Sequence, residues 1–226
     1  MRTSEANWNR VKRWNALAAE EQRLGLLTTK SEWRGPVGFW PVFCASLADV
    51  FDNEVPHAWR RDLVGLIDMT PHLSWQLLTK RIGNVPRFVP DEWVKNAVPP
   101  NVRLMVSVAN QEEADRDIPK LLALRCKNGV SYEPALGPID WGEQLRWLEW
   151  IIIGGESKQG AGKPRIFPLE WPRSTISQCR SAHVPVFVKQ LGSRWGVRDR
   201  AGADPAEWPE DLRIQEFPSV HLTPNK

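Results

Sequence analysis

Six short apolar runs, each stopping at polar residues or glycines, constrain this chain more than any other feature. They are PVFCASLADVF (41–51), SWQLLTKR (74–81), VRLMVSVANQ (102–111), GVSYEPALGP (129–138), WIIIGGES (150–157) and VPVFVKQLG (184–192). Stretches with helical periodicity lie between most of them, so the order strand, polar strand end, helix recurs, as in a parallel α/β sheet or barrel. The pattern predicts a partial, TIM-like α/β barrel of about six parallel strands with outer helices. In such folds the loops at the carboxyl ends of the strands build the ligand site.

At 226 residues, 42% of them hydrophobic, the chain can bury a full core. Three segments are expected: an N-terminal helical cover (1–35), a partial barrel (36–192) and a charged, proline-containing C-terminal tail packed on the surface (193–226). The 30 basic residues stand against 27 acidic ones, a mixed surface that is compatible with a nucleic-acid partner without demanding one. Thirteen Trp accompany a single Tyr, and packing in the core and rim is the expected use of most of them, ahead of base stacking. Cys44, Cys126 and Cys179 form no CxxC pair, and their odd number without an apolar N-terminal signal segment argues for a reduced, cytoplasmic chain. No apolar run reaches the length of about 18 that a membrane helix needs, so no membrane partner is expected.

Local signals place the helices. Residues 1–35 are helix-prone up to the breaker Arg34-Gly35-Pro36. Pro56 opens a helix with Trp59, Leu63, Leu66 and Ile67 on one face, and Pro71 ends it. The proline-rich stretch 82–101 leaves room for a short helix around Asp91 to Lys95. Another begins near Asn110 with acidic residues in its first turn, which suits the helix dipole. A short helix over 142–149 and a longer one over about 168–182 complete the set. The fourth strand is the weakest, because Lys127-Asn128-Gly129 intrudes where an apolar run should be.

The polar strand ends carry the candidate chemistry. Lys80, Glu133, Glu156 and Lys189 are the candidate catalytic residues, since two carboxylates and two lysines converging on one mouth could hold an anion or act as acid and base. The competing reading makes them structural ion pairs around the rim. Asp49, Thr79, Arg81, Ser107, Asn110, Gly154, Gly155, Ser157 and Gln190 occupy neighbouring strand-end positions and are candidate binding residues. The glycine-rich loop running through Gly160, Gly162 and Lys163 invites a phosphate reading, yet it matches neither GxGxxG nor GxxxxGK[ST], and a flexible lid fits it equally well. His57, His72, His183 and His221 lie away from the strand ends, and no residue set has metal-ligand spacing.

Taken in order, CASLADVFDNEVP, LLTKR, VSVANQEEADRDIP, EPALGPID, WIIIGGES, VPVFVKQLG and DPAEWPEDLRIQEFP resemble the phage- and prophage-encoded "Gp" protein family of unknown function, a radical-SAM-like barrel family, over about residues 8–217. Members of that family begin with a further strand and a three-cysteine segment of the kind that ligates a [4Fe–4S] cluster, and this sequence resembles a truncated member lacking both. The resemblance implies an enzyme-like barrel acting on nucleic acid or nucleotides, without a cluster of its own, and assigns no cofactor. The alternative is a non-catalytic binding protein that uses the barrel mouth for recognition. A hydrolase or lyase built on the same carboxylates and lysines is a third reading, for which no nucleophile and base pair is evident. A barrel short of one strand would leave open edges beside 42–46 and 185–189, to be covered by residues 1–35 through Trp8, Trp14 and Leu17, by self-association or by a protein partner.

Overall fold

The computed structural model of the chain describes residues 4–24, 40–44, 48–158, 162–196 and 201–218. Arg34-Gly35-Pro36, Gly160 and His221 lie outside the described residues. The chain divides into two compact units, one built from residues up to Leu104 with 125–127, the other from 105–124 and 128–218.

Six strands form one parallel sheet with neighbours in chain order: β1 (Pro41–Cys44), β2 (Ser74–Thr79), β3 (Val102–Ser107), β4 (Lys127–Tyr132), β5 (Ile151–Gly154) and β6 (Val186–Gln190). An order without reversal belongs to barrels, whereas doubly wound sheets switch direction from a central strand. The fold is therefore an α/β partial barrel with surrounding helices. All six residues of β3 are buried, as expected of a parallel strand covered on both faces. Among the described residues no helix is long and apolar enough to cross a membrane.

In the first unit, α1 (Glu5–Leu24) precedes β1, and α2 (His57–Asp68) follows the Pro56 signal and buries Leu66 and Ile67. The one-turn α3 (Val85–Phe88) and α4 (Asp91–Lys95) occupy the proline-rich stretch. The way α1 is held differs from the expected apolar cover. Leu17 is 56% and Trp14 36% exposed, and Ala18 is the helix's one buried residue. Polar bonds dock it instead: Glu21 accepts from the Trp40 indole (2.6 Å), Asn15 Oδ1 accepts the His72 amide (2.9 Å), and Gln22 meets the His72 ring (2.6 Å).

In the second unit, α5 (Gln111–Leu122) follows β3 and α6 (Glu170–Ala182) follows β5. The residues that weakened the fourth strand on paper lie within it. Asn128 donates to the Trp147 carbonyl (3.2 Å) and accepts the Glu149 amide (3.1 Å), so its amide is satisfied without water. Gly129 is small because a Cβ there would meet the Met105 sulfur at 2.6 Å. The C-terminal segment also does more than lie on the surface. Residues 214–216 run antiparallel along β6, with Val188 donating to Ile214 (2.8 Å) and Glu216 donating to Val186 (3.0 Å), so the edge expected to be open is paired. Trp208 and Leu212, at 3% and 0% exposure, anchor that segment in the core.

Candidate functional site

Of the candidate residues, Asp49, Thr79, Lys80 and Arg81 belong to the first unit and the remainder to the second. In the first unit, the Asp49 carboxylate accepts from the Thr79 hydroxyl (2.8 Å), the Lys80 amide (3.0 Å), the Phe51 amide (2.9 Å) and the Arg81 guanidinium (3.3 Å). Arg81 also pairs with Asp52 at 2.8 Å. One carboxylate thus ties the loop after β1 to the end of β2, and the lone pairs of Asp49 are spent on that task. Lys80 is exposed, and its ammonium has no ion-pair partner among the described residues.

The second unit assembles a more unusual group. Glu133 follows β4, is joined to Pro134 by a cis peptide bond, and is 13% exposed in its side chain. Its Oε2 accepts from the Ser131 hydroxyl (3.0 Å) and from the Lys189 ammonium (3.3 Å). Alternation along the strand puts Ser131 and Glu133 on one face, a period-two signal available in the sequence but not used there. The Ser107 hydroxyl donates to the Glu133 backbone carbonyl (3.1 Å), which joins the end of β3 to the same point.

Gly154 explains why the carboxylate can lie where it does. A Cβ at Gly154 would fall 2.9 Å from both Cγ and Cδ of Glu133, and nearer still to Oε1. The glycine is the floor on which Glu133 rests. Oε1 has no hydrogen-bond partner among the described residues, while Oε2 holds two. A mostly buried carboxylate with one saturated and one vacant oxygen is primed to accept a donor from a ligand.

Close backbone packing, not an exposed amide nest, also accounts for Gly155. A Cβ there would sit 2.7 Å from the Leu191 carbonyl carbon, and its amide already donates to Gln190 (3.0 Å). The Gln190 side chain donates to the Gly155 carbonyl (2.8 Å) and the Ser157 hydroxyl (2.7 Å), fixing the start of the loop to the end of β6. Asn110 is the N-cap of α5, its Oδ1 accepting the Glu113 amide (3.0 Å).

Glu156 is gripped by a residue that the sequence did not single out. Arg165 forms a two-pronged pair with it (3.0 and 2.6 Å) and adds its backbone amide (2.7 Å). These bonds hold the Glu156 carboxyl at about 2, far below the ordinary carboxylate range. Such a group stays charged through the neutral range and cannot trade protons there. Arg165 lies across a glycine-rich loop, and no periodic signal marks it as a partner.

Cys44 lies in β1 and Cys179 in α6, and burial pushes their thiols up to about 11 and about 12. Among the described residues no three His, Cys, Asp or Glu side chains are grouped as a metal-ion ligand set.

Among family models, the one described as "Protein of unknown function (DUF5131)" matches residues 1–215, so the chain belongs to that family. No curated protein and no solved structure gives a significant match.

Proposed function

For a member of this family, we propose a phage-type, radical-SAM-like partial barrel that engages a nucleotide or nucleic acid at the strand ends of its 105–218 unit, through Glu133 and Lys189. One observation carries the reading: among the described residues, Glu133 accepts two hydrogen bonds at Oε2 and none at Oε1. Oε1 can accept an N–H or O–H from a base or sugar. Lys189 is 43% exposed, so its ammonium can face a phosphate while it remains beside Glu133. A ligand that combines a hydrogen-bond donor with an anion suits this pair, and nucleotides combine both. Ser131 and Gly154 act as positioning residues, one orienting the carboxylate and the other leaving room for it.

Recognition without chemistry is the second reading, and Glu156 favours it. With that carboxyl held at about 2 by Arg165, the two candidate carboxylates cannot divide the roles of general acid and base near neutral pH. Calorimetric titration of mononucleotides and short oligonucleotides into wild type, Glu133→Gln and Lys189→Met tests the site. We expect each substitution to weaken binding about 10- to 100-fold, the scale of a hydrogen bond to a charged group. Wild type that binds no nucleotide, or variants that bind as well as wild type, would overturn the reading. Mass spectrometry of the ligand after incubation separates conversion from recognition.

A further inference from the structure

We propose that the loops following β5 and β6 form a basic rim that holds the backbone of a single-stranded nucleic acid, an inference that rests on the nucleotide reading of the adjoining strand ends. The described residues of these loops (155–158, 162–169 and 191–196) contain Lys158, Lys163, Arg165 and Arg194 against one acid, Glu156. Of the 30 bases and 27 acids of the whole chain, the remainder outside these residues balance at 26 each. Arg165 is consumed by Glu156. Lys158, Lys163 and Arg194 are exposed and have no ion-pair partner among the described residues.

The two loops are fastened to each other. Lys158 donates its amide to the Ser193 hydroxyl (2.7 Å), and Ser193 donates its own to the Glu156 carbonyl (3.0 Å). Gly192 makes the approach possible at φ +84°, where a Cβ would meet the Glu156 amide at 2.9 Å. The cations are therefore mounted on a braced double loop, which reduces the entropy lost when they take up a ligand.

Trp195 selects the class of polyanion. It is 40% exposed, yet its indole N–H is tied to the Phe167 carbonyl (2.9 Å) and its amide to Gly192 (3.0 Å). A half-exposed aromatic fixed by its polar edge, next in sequence to Arg194, offers a stacking surface for an unpaired base. Bases in a duplex are already stacked, and an acidic polypeptide without aromatic residues, such as polyglutamate, has no ring to place there.

Fluorescence anisotropy with a labelled oligothymidylate of about 20 nucleotides provides the test. The three rim cations should together contribute about −2 to the slope of log K against log[salt]. Lys158→Ala/Lys163→Ala/Arg194→Ala should reduce the magnitude of the slope by about 2, and Trp195→Ala should weaken binding roughly 5- to 150-fold. A duplex of equal length and polyglutamate should each bind more weakly than the single strand. Circular dichroism checks that the variants remain folded; should the triple variant not, the three single substitutions are expected to lower the slope by about 0.7 each. The rim proposal fails on its own if mononucleotides bind in a Lys189-dependent manner while the oligonucleotide does not bind, or binds with a slope that the rim substitutions leave unchanged. It also fails if polyglutamate binds equally well. Absence of both kinds of binding would remove the rim and the strand-end reading together.

Discussion

Gly154→Ala is the most discriminating single change, because the structure states what the new methyl would strike. The added Cβ would lie 2.9 Å from Glu133 Cγ and Cδ, well inside van der Waals contact, and the movable neighbour is a side chain. Glu133 should therefore swing away, giving up the Ser131 bond, worth about 1.5–3 kcal/mol as a hydrogen bond to a charged group. It also leaves Lys189, an ion pair worth about 0–1 kcal/mol because that lysine is 43% exposed. Replacing glycine in a strand returns about 0.4–1 kcal/mol through the unfolded chain. The net loss is about 1–3 kcal/mol, or a fall in Tm of roughly 2–10 °C for a chain of this size. In a Glu133→Ala background the same substitution should be neutral or slightly stabilising, a coupling of about 1.5–4 kcal/mol in a double-mutant cycle read by urea denaturation. Gly155→Ala is the control: its Cβ meets backbone at Leu191, so it should cost about 3 kcal/mol or more whatever stands at position 133. If Gly154→Ala costs as much without Glu133 as with it, the carboxylate does not rest on that glycine.

Three further outcomes follow from the packing and the charges. Glu156 has a depressed folded pKa, so its contribution to stability is present above the unfolded value of about 4.3 and is lost as pH falls toward about 2; Arg165→Gln should lower stability at pH 7 yet match wild type once both carboxyls are protonated, as chemical denaturation across that range would show. Trp208, buried at 3% with its indole N–H on the Gly202 carbonyl (2.9 Å), should cost about 3–5 kcal/mol on replacement by Ala, whereas the 40% exposed Trp195 should cost far less; equal losses would contradict the core role of the C-terminal segment. Cys44 and Cys179 should alkylate with iodoacetamide at pH 8 roughly a hundredfold more slowly in the folded chain than in urea, and anaerobic reconstitution should leave no stoichiometric iron and sulfide; a visible charge-transfer band would refute this.

The local alphabet carried much of the architecture. Pro56 before α2, Asp91–Lys95 between prolines and the Asn110 cap of α5 all mark boundaries through backbone rules that act over a few residues. The apolar runs likewise announce the strands, since a parallel strand covered on both faces must be apolar almost throughout. What the runs could not convey is the company each strand end keeps. Glu133 and Glu156 look alike in sequence, each a carboxylate at the end of an apolar run. Folding gives one a vacant oxygen over Gly154 and clamps the other with Arg165. Asp49 and Asn110 look equally available for binding, and both are absorbed by local hydrogen bonds. The pairing of residues 214–216 with β6 was hidden for the same reason, in a segment whose charge and prolines read as surface. Strand and helix positions follow from periodicity and steric rules within one stretch of chain. The state of a carboxylate, the need for a glycine and the closing of a sheet edge depend on atoms brought together from distant stretches, and only the tertiary structure decides which ones meet.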